Sequence, residues 1–343
     1  MKIKYSIRDY TVELVPEIKI DFRKGDFLFV DESVYKLYKK QLPKTKNIFV
    51  IKATEYSKEW KELTTIIEAL ILSGFKKNNR LICVGGGVIQ DVTGFIASIL
   101  YRGVAWVFYP TTLVSQADSC IGGKTSINFD NYKNLIGTFY PPSQVFICTK
   151  FLETLPKDEI KSGIGEMLHY FVLFDNIYLR SGTFEQDCNN HFMLHPDMMD
   201  FYIKESLVQK SAIIEQDEFD KGIRNLFNLG HTFGHALESV SNYKLQHGLA
   251  VTKGMDMAFW LAWKRNYISK RRMDYLRAHI EFNMPEFKIT DVKKFIEALS
   301  HDKKNTDNFI NFILPFRKSD FRKIAIKNDD QLLKDIAEYN KQF

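Results

Sequence analysis

Cysteine is scarce and scattered. The four residues Cys83, Cys120, Cys148 and Cys188 show no CxxC spacing, so they read as reduced thiols of a cytoplasmic protein rather than a disulfide framework. No apolar run reaches eighteen residues, so no membrane-spanning helix is expected. The opening residues, Met1 to Ser6, are polar and lack the apolar stretch of a secretory signal. There is no internal repeat and no low-complexity segment. Neither sign of charge dominates: 48 basic residues against 42 acidic leave a net charge of +6. The charges are interspersed, without the concentrated basic face that nucleic-acid binding needs. What is plentiful is apolar matter. Hydrophobic residues make up 45% of 343 positions, enough for a large core divided between two domains.

The pattern changes along the chain. Thr11 to Val15 alternates as a strand does, and Phe27–Val30 and Asn47–Ile51 are short apolar runs of the buried kind. A helix is expected from about Lys58 to Ser73, with Trp60, Leu63, Ile66, Ile67, Leu70 and Ile71 on one side. Further strands are expected at Arg80–Val84, Val104–Tyr109 and Val145–Cys148. Strands alternating with helices predict a parallel α/β sheet. From Phe151 onward the periodicity is mostly helical: Glu159–Phe174, Asp200–Glu218, Asn225–Val240, Val251–Lys264 and Arg271–Glu281. A short strand over Phe309–Pro315 and a helix from Gln331 close the chain. The domain boundary is expected near residue 150, giving an α/β domain over 1–150 and an all-α domain over 151–343.

Two motifs carry chemistry. Strand Arg80–Val84 runs into Gly85-Gly86-Gly87 and then into a helix from Val92 to Leu100. Glycines at such a turn let the backbone approach a ligand, and the helix N-terminus offers free N–H groups to a pyrophosphate. The motif is GGG rather than GxGxxG, so a tight turn that binds nothing fits it too. Gly122-Gly123-Lys124-Thr125 resembles a P-loop, but the full G-x-x-x-x-G-K-[ST] spacing fails, which argues against a nucleoside triphosphate. The second motif is His231-Thr232-Phe233-Gly234-His235, with His247-Gly248 beyond it. On a helix, His231 and His235 leave the same face, and a turn through Ser241-Asn242-Tyr243 can return His247 to it. That spacing admits a divalent-metal site, two ligands plus a proton carrier, or core histidines held by hydrogen bonds.

Taken together the segments resemble the 3-dehydroquinate synthases, the founding group of the sugar phosphate cyclases. The resemblance is carried by GGGVIQDVTGFIAS (85–98), YRGV (101–104), PTTL (110–113), DSCIGGKTSIN (118–128), KNLIGTFYPP (133–142), FLETLP (151–156), RNLFNLGHTFGHALE (224–238) and HG (247–248). No one of these is decisive, but eight in register are highly specific. The resemblance implies an N-terminal NAD-binding α/β domain with a parallel sheet, an all-α C-terminal metal-binding domain, and an active site between them. It implies that Glu166, His231 and His247 bind Zn2+ (or Co2+), with His235 as proton relay on the phosphate side. It implies NAD contacts from Asp31, Glu55, Lys58, Gly86, Gly87, Asp91, Thr111, Thr112, Lys133 and Thr154. It implies substrate contacts from Asp118, Lys124, Asn134, Lys210, Arg224, Asn228, His235 and Lys303 or Lys304, with Arg102 reaching a neighbouring subunit's site in a homodimer.

The implied reaction converts 3-deoxy-D-arabino-heptulosonate 7-phosphate into 3-dehydroquinate and phosphate. NAD oxidises the C5 hydroxyl, phosphate is eliminated, NADH returns the hydride, and an intramolecular aldol step closes the ring. Two departures stand out. His169 occupies a position where the family carries lysine, and Leu249 stands where it carries a glutamate beside the third metal ligand, removing an expected hydrogen-bond acceptor. They admit a cyclase with an altered carbocyclic product. A glycerol dehydrogenase-type enzyme and an inactive binding relative complete the alternatives. The first would not need Lys124, Asn134 and Arg224, and the second would not need the intact metal set.

Overall fold

The computed structural model describes residues 1–130, 132–189, 196–300, 308–318 and 320–343. The expected substrate lysines Lys303 and Lys304 lie outside the described residues. The chain divides into two units: Met1–Leu155 with Met199–Phe219, and Pro156–Met198 with Asp220–Phe343. The first unit thus takes in a helical segment from beyond residue 150.

Seven strands build the sheet of the first unit: β1 (Lys2–Ile3), β2 (Tyr10–Leu14), β3 (Phe27–Asp31), β4 (Ile48–Ile51), β5 (Leu81–Gly85), β6 (Trp106–Pro110) and, after a separate hairpin of β7 (Lys124–Phe129) and β8 (Tyr132–Phe139), β9 (Gln144–Ile147). Their spatial order is β1-β2-β9-β6-β5-β3-β4. All pairs are parallel except β1 with β2. Every residue of β3, β5 and β6 is buried, which is why these strands read as unbroken apolar runs rather than alternating ones. The strand order reverses between β3 and β5. In open α/β sheets the crevice at such a reversal, outside the carboxyl ends of the strands, is where ligands bind.

Three local expectations change. The helix after the glycine turn begins at Gly87 rather than Val92, so the third glycine lies inside its first turn. The helix Trp60–Leu72 buries Leu63 and Leu70, but Ile71 is 54% exposed. Its buried line is narrower than the apolar count suggested. The β7–β8 hairpin, irregular in register between Ile127 and Phe129, had no clear signature in the sequence.

The second unit is organised on two buried helices. Lys157–Leu173 is buried almost continuously from Ile160 to Val172, and His247–Lys264 from Gly248 to Ala262. Helices apolar on all sides belong in a core. They meet glycine to glycine. A Cβ on Gly248 would stand 1.7 Å from the Ser162 carbonyl oxygen, and one on Gly165 would stand 2.0 Å from that of Gly248. Only glycine allows this contact, and it sets Glu166 beside His247. The unit is helical, but the all-α expectation needs an amendment. Strands β10 (Phe309–Phe316) and β11 (Asp320–Lys327) form an antiparallel hairpin, whose Phe312 ring stacks on Phe233 of the His231–Val240 helix at 4.6 Å. The apolar run at 309–314 had to be covered, and pairing with a second strand does so while satisfying its backbone.

Candidate active site

Most of the expected site residues gather in two polar clusters, one in each unit. The first lies beyond the carboxyl ends of β3 and β5. Asp31 ends β3, and its Oδ1 accepts from the Ser33 and Val34 amides at 2.6 and 3.1 Å, capping the helix Glu32–Tyr38. Gly86 caps the helix Gly87–Ile99 without a side-chain hydrogen bond, so that helix presents open amides and the positive end of its dipole. Thr111 N donates to the Gly85 carbonyl at 3.0 Å, and Thr112 Oγ1 pairs with Ser115 Oγ at 2.9 Å. The buried Lys58 ammonium donates to Asp91 Oδ2 at 2.7 Å and to Asn134 Oδ1 at 2.6 Å. Ser126 adds its amide and hydroxyl to the same carboxylate at 2.9 and 3.2 Å. Burial holds the Asp91 carboxyl above its ordinary value, with the Lys58 ammonium pulling the other way. Glu55 Oε2 accepts from Asn128 Nδ2 at 3.0 Å and lies 4.0 Å from Lys133 Nζ. Thr154 Oγ1 meets the Tyr38 hydroxyl at 2.8 Å.

Asn134, expected among the substrate contacts, therefore sits with Lys58 and Asp91, expected on the cofactor. Its φ of 52° is left-handed, and Asn128 Oδ1 holds its amide at 2.9 Å. Elsewhere in the first unit, Lys210 Nζ donates to both the carboxylate and the carbonyl of Asp118 at 2.7 Å. Asp118 lies on a π-helical turn, Ser115–Ser119, pinned from the side by Gln90. Gln90 Nε2 donates to the Ser119 carbonyl, and Ser119 Oγ donates back to Gln90 Oε1, both at 2.6 Å. Lys124 and Arg102 are exposed.

The second cluster depends on a break the sequence hid. The single helix expected over Asn225–Val240 is two elements, a 3-10 turn at Ile223–Asn228 and an α-helix at His231–Val240. They are parted by Gly230 with φ 79°, a conformation costly for any residue with a Cβ. The break makes His231 the first residue of the second helix, with its Nδ1 3.2 Å from the Leu229 carbonyl. Asn242 and Tyr243, with φ of 51° and 58°, then reverse the chain, and His247 begins the next helix. Arg224 is buried in the 3-10 turn, and Asn228 donates to the Asn225 carbonyl at 2.8 Å.

Glu166, His231 and His247 each bring one ligand atom within 4.8 Å of the other two. His247 Nε2 stands 3.1 Å from Glu166 Oε1, and His231 Nε2 stands 3.8 Å from Oε2. Glu166 is 1% exposed, yet its Oε1 has no aligned hydrogen-bond partner. A buried carboxylate oxygen left so is costly, and a divalent cation among these donors satisfies it. Burial works to raise the Glu166 carboxyl, but the imidazoles of His231, His169 and His247 hold it well below the usual carboxylate range. Burial takes His231 well below the ordinary imidazole value, against the pull of Glu166. Glu166 and Glu238 hold the His247 imidazole well above its ordinary value against the effect of burial, so a metal, which takes an ionised carboxylate and neutral imidazoles, must displace a proton there.

Among the described residues, His235, Glu238 and His247 also converge. That group is more exposed, and its His247 Nδ1–Glu238 Oε2 contact at 3.1 Å is a well-formed hydrogen bond, so it is complete without an ion. His235 is exposed, its ring 5.7 Å from both His231 and His247. His169 is buried, with Nδ1 3.3 Å from Glu166 Oε2 but out of line for a hydrogen bond. Leu249 is buried and apolar. The acceptor its presence was expected to remove is supplied to His247 by Glu238. Sequence reading passed over Glu238, Ser126, Asn128 and Ser119. Only Glu238 had a usable signal, lying two helical turns after His231 on the same face.

Two family models match the chain: 3-dehydroquinate synthase N-terminal over residues 48–162, and 3-dehydroquinate synthase C-terminal over residues 163–305. The 3-dehydroquinate synthase of Clostridium tetani is 37% identical over 94% of this chain and 87% of its own length. That of Sulfurimonas denitrificans is 39% identical over 78% of this chain and 76% of its own. Among solved structures, the 2-epi-5-epi-valiolone synthase of Streptomyces hygroscopicus, determined with NAD+ and Zn2+ bound, superposes with a TM-score of 0.82 over 97% of each chain at 22% identity. At that identity the likeness is one of fold.

Proposed function

The chain belongs to the 3-dehydroquinate synthase family, carbon–oxygen lyases, and on that premise we propose that it converts 3-deoxy-D-arabino-heptulosonate 7-phosphate into 3-dehydroquinate and phosphate. The observation that carries the site reading is the meeting of Glu166, His231 and His247 around a buried carboxylate oxygen with no aligned hydrogen bond.

These three residues would hold Zn2+ or Co2+, and the open helix N-terminus at Gly86 and Gly87 would receive the pyrophosphate of NAD. When bound, the metal supplies Lewis acidity and NAD takes up and returns a hydride. The chain's own groups do the rest. Asp31 at the end of β3 and the Glu55–Lys133 pair would suit the cofactor's polar groups, as would Thr111, Thr112 and Thr154. Lys58 holds Asp91 and Asn134 in one arrangement. The Arg224 guanidinium fits a substrate carboxylate as a bidentate fork. Lys124 and Lys210 bring positive charge for a phosphate, and Asp118 fixes the Lys210 ammonium. The exposed His235 imidazole can carry a proton at the leaving phosphate. Four free cysteines, three of them buried, support a reducing compartment such as the cytoplasm. A homodimer, with exposed Arg102 reaching the neighbouring copy, belongs to the same proposal.

Phosphate release from the heptulosonate phosphate, compared with heptulose 7-phosphates that lack the carboxylate, tests this reading. Release from the carboxylate substrate alone, dependent on metal and NAD, is the expected result. Release from the carboxylate-free sugars would favour the second reading, an altered-substrate cyclase, which His169 motivates. Net accumulation of NADH with a polyol would point instead to a dehydrogenase.

A further inference from the structure

The metal reading of Glu166, His231 and His247, on which this inference rests, leaves open what decides which nitrogen of each imidazole faces the ion. For His231 the backbone decides, since its Nδ1 lies 3.2 Å from the Leu229 carbonyl. That oxygen can only accept, so Nδ1 carries the proton and Nε2 keeps its lone pair toward Glu166. Among the described residues no backbone group does this for His247, which is the first residue of its helix. It is bracketed by two carboxylates, with Nε2 3.1 Å from Glu166 Oε1 and Nδ1 3.1 Å from Glu238 Oε2. The two contacts differ in kind. The Glu238 contact is an aligned hydrogen bond, whereas Glu166 Oε1 has no aligned partner.

We propose that Glu238 is the positioning residue of the metal centre: it accepts the Nδ1 proton of His247, fixes the tautomer and ring plane, and so turns the Nε2 lone pair toward the Glu166 carboxylate. A carboxylate behind an imidazole also makes the ring a stronger donor. Glu238 is suited to the task. It lies seven residues after His231 on one helix, so ligand and support sit two turns apart on one face. Its side chain is 17% exposed, which keeps competing water largely away. Leu249, which offers no acceptor at the adjoining position, leaves the task to Glu238.

The test is metal affinity, measured by chelator competition on the full chain, with the thermal midpoint of each metal-free protein recorded beside it. Glu238→Ala removes the acceptor and should weaken Zn2+ binding by about 10- to 100-fold. Glu238→Gln keeps an acceptor oxygen without the charge and should fall between alanine and wild type. Substitution with Co2+ gives a second reading that a merely structural residue would not move: the visible ligand-field bands of both variants should shift while the metal-free midpoints stay together. Should the alanine variant destabilise the chain, the glutamine variant's affinity and Co2+ bands still decide. Zn2+ held by the alanine variant within about threefold of wild type, less than 1 kcal/mol, with unchanged Co2+ bands, would overturn the inference while leaving the metal site standing. Wild-type protein that holds neither ion would overturn the metal reading and this inference with it.

Discussion

The cluster around Lys58 and the one around Glu166 are both polar and each is centred on a buried charge, yet they solve opposite problems. In the first unit, Lys58, Asp91, Ser126 and Asn134 satisfy one another, with donors facing acceptors at 2.6 to 3.2 Å. In the second, the Leu229 carbonyl and Glu238 can take the Nδ1 protons of His231 and His247, which leaves the inward atoms of Glu166, His231 and His247, at 3.1 to 3.8 Å, able to act together as acceptors for a cation. A set with both signs is complete within the protein and shapes a surface. A set of lone pairs converging on one point needs a cation to be worth burying. A buried charge at the centre therefore says little about role, and the balance of donors and acceptors says more.

The hardest blow to this contrast is His231→Ala. Losing one of two imidazole donors should abolish zinc retention and lower phosphate release by at least about a thousandfold, about 4 kcal/mol. Metal content and turnover are read on the same sample, and full activity in metal-stripped mutant protein would refute the zinc assignment. Next in size is Lys58→Ala, which strands a carboxylate that Lys58 now neutralises. The expected loss is about 3 kcal/mol of stability, at the low end for a broken buried pair because Asp91 can take up a proton. Amide exchange should quicken in β5 and the β7–β8 hairpin and stay unchanged in the second unit. Uniform quickening would mean that the cluster is not a local device. The smallest effect is expected from His169→Lys. An ammonium in place of an unaligned imidazole should leave turnover of the heptulosonate phosphate within about threefold, less than 1 kcal/mol, or raise it. A hundredfold loss would instead mark His169 as matched to another substrate.

The clusters were unequally legible. Spacing brought out His231, His235 and His247 but left their roles open, and Glu166 with His231 and His247 could be named as ligands only through the family resemblance. The glycine turn was visible as an apolar strand ending in glycines, and the mostly parallel sheet as unbroken apolar runs. The internal wiring of the first cluster was not visible. Nothing in the residues around 128 or 134 says that a hairpin will fold Asn134 onto Lys58, or that Asn128 will hold its left-handed backbone. The break at Gly230 was hidden for a related reason. A helical pattern spans it, and glycine within such a pattern is ambiguous until a neighbouring helix shows what approaches it.

Local order thus determined most of the strands and helices, which family the chain resembles, and which side chains could take part in chemistry, since periodicity and residue type are properties of neighbours along the chain. What only the tertiary structure decided is which of those side chains complete each other. The glycine-to-glycine crossing of two helices sets Glu166 beside His247, and a helix start at His231 leaves Glu238 to support the third ligand. Those pairings depend on distances of a few ångströms between residues as far as 86 positions apart, and no local pattern encodes them.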